Sequence, residues 1–112
     1  MKKIEAIVRL ESADAVRSAL SESGITGLMI SEIEGHGKQK GVVQQWRGEK
    51  YKVELLPKAK IEIIVKDQDV ERISKVIIDS ARTGEIGDGK IFIYPVDNVI
   101  RIRTGEKGES AI

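Results

Sequence analysis

Between Thr83 and Phe92 the chain reads Thr83-Gly84-Glu85-Ile86-Gly87-Asp88-Gly89-Lys90-Ile91-Phe92, with three glycines inside six residues and an apolar run directly after them. Glycine adopts φ > 0 and lets a ligand approach the main chain closely. Successive bare N–H groups in such a turn form a concave anion site. Lys90 adds a point charge of the kind that binds phosphate. Downstream, Arg101 and Arg103 are two residues apart. On an extended segment both would point to one side, and an arginine can grip phosphate oxygens with two parallel hydrogen bonds. The chemistry these residue types suggest is recognition of a nucleotide's phosphates. The spacing is not that of a Walker A loop, because G-x-x-x-x-G-K-[ST] is missing. Nor is it a Rossmann fingerprint, since a strand follows the glycines and not a helix. An isolated G-x-G-K is more often a plain turn before a strand, and paired arginines are common on strand edges.

Other chemistry finds little support. His36 is the one histidine, and cysteine is absent. With no Ser/His/Asp or Cys/His set, covalent catalysis and hydrolysis have no machinery. No pair of carboxylates stands out, and Glu106 and Glu109 read as solvated surface. The expectation is a binding protein and not an enzyme.

Elements must hold those residues in place. A chain of 112 residues implies one domain. It can bury a modest core, and oligomerisation would help so small a unit. Basic and acidic residues number 19 and 18, so no net field favours nucleic acid. The start, Met1-Lys-Lys-Ile-Glu, lacks a signal peptide's apolar stretch, and no run is long enough to span a bilayer. A cytoplasmic location is expected.

Lys3 to Val8 alternates, placing Ile4, Ala6 and Val8 on one face and Glu5 and Ile7 on the other, as in a half-buried strand. Ser12 is positioned to cap a helix running to Ser23, with Ala13, Val16 and Leu20 as its apolar stripe and Gly24 at its end. Gly27 to Glu34 reads as a second strand. The pattern then repeats: Lys60-Ile-Glu-Ile-Ile-Val65 matches Lys3-Ile-Glu-Ala-Ile-Val8 at five of six positions. A second helix, about 69–81, buries Val70, Ile73 and Ile77, with Asp67 and Asp69 at its positive end. Lys90 to Tyr94 is the last strand, stopped by Pro95.

Two βαβ units in one chain predict an α+β, ferredoxin-like sandwich: a four-stranded antiparallel sheet backed by two helices. The second sheet face would carry Ile7, Ile64, Phe92 and Met29, which need cover. A closed ring of subunits could supply it. Between strands two and three runs a long loop, Gly37 to Pro57, containing the one Trp, Trp46, with Arg47 and Tyr51. Loops of this length without structure of their own tend to be functional, and Trp, Tyr and Arg are enriched at binding hot spots. A plain surface hairpin with Trp46 packed on the body is the simpler reading, but the segment's length and charges favour an interaction loop.

Thr83 to Phe92, together with Arg101-Ile-Arg103-Thr-Gly-Glu106 and Gly35-x-Gly37-x-Gln39-Lys-Gly41, resembles the PII family of nitrogen-signalling proteins. The similarity runs nearly end to end, from Met1-Lys-Lys-Ile-Glu-Ala-Ile to Ala111-Ile112. The resemblance implies a homotrimer that binds ATP or ADP in the clefts between neighbouring subunits. Residues matching Gly35, Gly37, Lys38, Gln39, Gly87, Asp88, Gly89 and Lys90 would come from one side of the cleft. Those matching Met29, Glu62, Ile64, Arg101 and Arg103 would come from the other. Lys38 stands where the family usually has Arg, which keeps the charge and loses the planar fork. Met29 stands where Thr is usual, so a hydroxyl contact to adenine is gone.

The resemblance also implies 2-oxoglutarate as a second ligand, bound with Mg-ATP. Magnesium would bridge the phosphates, the keto acid and Gln39, while Lys58 would pair with a 2-oxoglutarate carboxylate near Gly87. A magnesium site of phosphates and one amide oxygen is incomplete without a further bidentate ligand. In family terms, residues of about 37–57 form the T-loop that touches target proteins, about 82–90 the B-loop, and about 97–112 the C-terminal segment. Arg47 matches an arginine that enters the cytoplasmic mouth of an ammonium channel, and any membrane association would be peripheral, through such a channel. Acetylglutamate kinase, glutamine synthetase and nitrogenase-linked proteins are further family targets. Tyr51 matches a tyrosine uridylylated in many bacterial members. Glu49 replaces a serine phosphorylated in others, which excludes that modification. Val42 to Trp46 departs from the family's usual polar run. The usual Lys-Pro-Phe-Lys-Leu after strand one is Arg9-Leu-Glu-Ser-Ala13 here, bearing on the helix start.

Two rivals share the fold. A nucleic-acid-binding module would need aromatic residues on central strands, yet aromatics are 4% of the chain. A trimeric enzyme or metal-binding protein would need clustered Cys or His.

Overall fold

Alternating residues in β1 (Lys2–Arg9) and β5 (Leu56–Val65) bury every second side chain, and those two strands are the centre of the sheet. The computed structural model describes residues 1–35, 43–46, 49–52 and 56–112. Two more strands, β2 (Met29–Gly35) and β6 (Gly89–Pro95), flank the central pair in the order β2-β5-β1-β6, antiparallel throughout. Helices α1 (Ala13–Glu22) and α2 (Val70–Ala81) cover one face. This is the expected ferredoxin-like α+β arrangement.

The core is the meeting of two periods. Ile4, Ala6 and Val8 from β1 and Ala59, Ile61, Ile63 and Val65 from β5 face Val16 and Leu20 of α1 and Ile73, Ile77 and Ala81 of α2. All of them are buried. Each large aliphatic side chain removed from water contributes roughly 1.5–3 kcal/mol before the entropy cost of ordering it. Ala13 and Val70 pack on the edge of this cluster.

Local signals differ in detail. Gly24, at φ +90, closes α1: its N–H donates to Ser21 O and the Ile25 N–H to Leu20 O, the paired bonds of a left-handed helix end. Ser12 sits at the N-cap of α1 but makes no side-chain cap bond. A 3-10 turn over Leu10–Ser12 precedes it and leaves Ser12 in helical geometry, where its hydroxyl cannot reach the following N–H groups. Of the two acids expected at the start of α2, Asp69 pairs with Arg72 at 3.4 Å, while Asp67 pairs with the Met1 amine at 2.8 Å. That amine holds the Asp67 carboxyl below its ordinary value.

Strand two begins at Met29, not at Gly27. Pro57 is not loop but part of β5, opposite Glu34, so the long connection is shorter at that end than its sequence implied. Inside it a second ladder forms, β3 (Val43–Trp46) with β4 (Glu49–Lys52), pairing Val43 with Lys52 and Trp46 with Glu49.

Candidate functional site

The loop between α2 and β6 is drawn shut by one carboxylate. Asp88 Oδ2 accepts from the backbone N–H of Thr83 at 2.8 Å and of Gly84 at 2.9 Å, and Oδ1 accepts from the Thr83 hydroxyl. Arg9, at the end of β1, donates from Nε to the same Oδ1 at 3.2 Å and from a terminal nitrogen to Ile86 O at 2.9 Å. The Thr83 hydroxyl does most to hold the Asp88 carboxyl far below the usual range; the two backbone donors and Arg9 add to it, and partial desolvation opposes them. Asp88 therefore spends its charge inside the loop.

Lys58 reaches the same loop from β5. It is the one buried charged residue among the described residues, and its Nζ donates to Gly87 O at 2.8 Å. Gly87 and Gly89 have φ of 108° and 106°. At Gly89 the need for glycine is absolute: a Cβ there would lie 1.7 Å from Ile7 O, because β6 starts hard against β1. The Gly87 N–H has no acceptor among the described residues.

Register gathers these parts at one end of the sheet. Gly35 pairs with Leu56, Arg9 with Lys58, and Val8 with Gly89. Lys90 follows on the open face opposite Ile7 and is exposed, with no ion pair among the described residues. A groove of about 270 Å³ runs between the last turn of α2 and the start of β6, lined by Ile77, Ile78, Ala81, Arg82, Asp88 and Lys90.

The remaining predicted residues lie elsewhere. Met29 is on the β2 edge opposite Glu62, with Ile64 two residues further along β5. Met29 on β2 and Lys90 on β6 stand on opposite edges, three strand spacings or about 14 Å apart across the sheet. Arg101 and Arg103 are not on an extended segment. Gly105 N–H donates to Arg101 O at 2.8 Å, closing a tight turn, and Gly105 takes a φ of 73°. Within it Arg101 is engaged, at 3.0 Å from Glu106 Oε1 and 3.2 Å from Ser110 O. Glu106 is thus an ion-pair partner and not idle surface. Arg103 is exposed and has no partner among the described residues. Gly37, Lys38, Gln39 and Arg47, like His36, lie outside the described residues; Tyr51 falls in β4, where the backbone opposes Gln44.

The open sheet face is less apolar than its sequence implied. Ile7, Ile64, Phe92 and Met29 are there, but Glu5 and Glu62 face each other at its centre. Lys3 lies 3.6 Å from both carboxylates, and Lys60 lies 3.3 Å from Glu62. Partial burial pushes the Glu62 carboxyl up, but the Lys60 hydrogen bond and the Lys3 charge outweigh it and leave it below its ordinary value. The Tyr94 hydroxyl donates to Glu5 at 3.0 Å, and this bond first, then burial, pushes its titration up. Among the described residues no cluster of His, Cys, Asp or Glu could hold a metal ion, and no helix is long and apolar enough to cross a membrane.

A double βαβ sheet with a self-closed glycine loop at one end defines the class, and comparison with known proteins gives the family. The model of the family described as "Nitrogen regulatory protein P-II" matches residues 1–106. A P-II protein of Pasteurella multocida is 53% identical over 112 residues, covering 100% of both chains. One from Nostoc punctiforme is 54% identical with the same coverage, and "P-II 2" of Methanothermobacter thermautotrophicus is 50% identical, covering 100% of this chain and 97% of its own. A crystal structure of Arabidopsis thaliana PII bound to citrate superposes with a TM-score of 0.80 at 45% identity, over 99% of this chain and 91% of that one. The chain belongs to the PII family of nitrogen regulatory proteins, which are signal transducers and not enzymes.

Arg9 and Thr83 are the site residues that sequence reasoning missed. The signal for Arg9 was its register: strand one's end must face strand three's start, which places Arg9 against Lys58.

Proposed function

We propose that this chain is a cytoplasmic, homotrimeric sensor that binds ATP or ADP between subunits and, with Mg-ATP, 2-oxoglutarate. One observation carries the reading. The two halves of the expected nucleotide site, Gly87–Lys90 and Met29 with Glu62 and Ile64, occupy well-separated parts of one sheet. One chain cannot close both onto a single nucleotide, whereas two copies meeting edge to edge can.

In this reading the phosphates lie on the N–H groups of Gly87 and Gly89 with Asp88 buttressing the loop, and Lys90, Lys38, Arg101 and Arg103 neutralise them. Adenine packs by Ile64 and Met29, and Gly35 and Gly37 give it room. Gln39 would be the chain's own ligand to a magnesium ion carried by the phosphates, and Lys58 would meet a carboxylate of 2-oxoglutarate. Citrate on the Arabidopsis thaliana relative is in keeping with a carboxylate ligand. Binding reorganises residues 37–57 and so regulates a nitrogen-assimilation target such as an ammonium channel, reached through Arg47; Tyr51 is the candidate for uridylylation.

Calorimetric titration of ATP, with and without magnesium and 2-oxoglutarate, tests this. Tight ATP binding with 2-oxoglutarate binding dependent on Mg-ATP is expected. A protein that sediments as a stable monomer at micromolar concentration, or that ignores ATP, would overturn it.

A further inference from the structure

The peptides of loop 86–88 are oriented before any ligand arrives. In a trans peptide the C=O and the following N–H point in opposite directions. Arg9 holds Ile86 O, so the Gly87 N–H faces away from Arg9. Lys58 holds Gly87 O, so the Asp88 N–H faces away from Lys58. Two consecutive peptides are thus oriented by two cations anchored on the sheet end, and the Gly87 N–H is left without an acceptor among the described residues. Arg9 has a second contact, on Asp88 Oδ1. Without it the Asp88 carboxylate, held by the neutral donors of Thr83 and Gly84 alone, would face the place an anion must occupy with no cation on it.

We propose that Arg9 is a positioning residue of the phosphate loop, turning the Ile86–Gly87 peptide outward and neutralising Asp88. The proposal rests on the nucleotide reading for its ligand, but not for its geometry. Arg9 touches no phosphate; it acts through the loop. Its planar fork serves two acceptors at once, Asp88 and Ile86 O, which a lysine ammonium on a flexible stem does less well.

The test uses the full chain as wild type, Arg9→Ala, Arg9→Lys and Arg9→Ala with Asp88→Asn. ATP and inorganic tripolyphosphate are titrated calorimetrically, and backbone order at 86–88 is followed by NMR relaxation without ligand. Arg9→Ala should weaken both ligands about tenfold, the low end of what losing a group that orients a ligand's partners costs, and Arg9→Lys should fall between. Adding Asp88→Asn should restore part of the loss: the amide keeps one oxygen for the Thr83 and Gly84 N–H groups, its NH₂ can donate to the Thr83 hydroxyl, and the repelling charge is gone. A purely structural prop would not be rescued by removing that carboxylate. In Arg9→Ala the order at 86–88 should fall while the sheet amides stay unchanged. Unchanged order at 86–88, or wild-type ligand affinity in Arg9→Ala, overturns the proposal. Failure of the wild type to bind either ligand overturns the nucleotide reading alone, since the relaxation data still decide what Arg9 does to the loop.

Discussion

Arg9 and Lys58 face each other directly across the β1–β5 ladder, and both side chains end on the same three-residue stretch, Ile86 to Asp88. Like charges opposite each other normally destabilise a sheet by a few tenths of a kcal/mol up to about 1 kcal/mol. Here each cation has an acceptor on the loop, so the repulsion is offset and the loop is fixed to two strands at once.

Gly89 is where that attachment leaves no slack. Gly89→Ala would force either a backbone clash with Ile7 O or separation of β6 from β1. Destabilisation of about 3 kcal/mol or more is expected, at the upper end of single substitutions. Gly84→Ala is the control: φ is 88° but nothing lies within 4 Å of the new Cβ, so only the left-handed penalty of about 1 kcal/mol applies. Denaturant midpoints of the two variants check this; equal midpoints would contradict the close approach.

Acid should reveal Asp88. Its carboxyl titrates well below the ordinary range in the folded chain. A group with a depressed folded pKa contributes stability that is fully present above its unfolded value, near 3.9, and is lost as pH falls through the folded value. Wild-type melting temperature should therefore drop below about pH 4 more steeply than that of Asp88→Asn, which has no proton to take up. Parallel slopes in the two proteins would count against the clamp.

Lys90 and Arg103 are both exposed with no partner among the described residues, so truncating them costs the fold little. Lys90→Ala and Arg103→Ala should each weaken ATP binding by roughly 1.5–3 kcal/mol, tenfold or more, with melting temperatures near wild type. Unchanged ATP affinity in both would sink the phosphate assignment. Arg101→Ala is different, because Arg101 also holds Glu106 and Ser110; it should loosen the C-terminal turn as well.

Linkage makes the two proposed ligands test each other. If 2-oxoglutarate binds only with Mg-ATP, it must tighten ATP by the same factor. Trp46 lies in β3 and is the one Trp of the chain, so its fluorescence reports on that ladder. A change is expected on adding 2-oxoglutarate with Mg-ATP, none or a different one with Mg-ADP, and loss of the response in Gln39→Ala. Equal 2-oxoglutarate affinity with ATP, with ADP and with no nucleotide would show the coupling to be wrong.

The sandwich was legible because its information is periodic. Alternation in Lys3–Val8, its repeat in Lys60–Val65 and the apolar stripes through Val16 and Ile73 name the buried faces before any pairing is known. The clamp was not legible, because Arg9 and Asp88 are 79 residues apart and meet only through the β1–β6 register. The acidic pair on the open face could have been found: two copies of Lys-Ile-Glu run antiparallel, and in that register Glu5 must meet Glu62. The turn at Arg101 was signalled by Thr104-Gly105, which outweighs the extended reading of two arginines two apart.

The bonds that shape the glycine loop and the bonds that seat it operate over different lengths of chain. Thr83 and Gly84 reach Asp88 across five and four residues, whereas Lys58 reaches Gly87 across 29 and Arg9 reaches Asp88 across 79. Short rings of this size close in about 10–100 ns, while non-local strand pairing waits for slow loop closure. The ring is therefore made early in refolding and docked late. Hydrogen exchange should divide it accordingly: the Thr83 and Gly84 amides, tied within the ring, gain protection before the amide of Lys90, which faces Ile7 and waits for β1 to arrive.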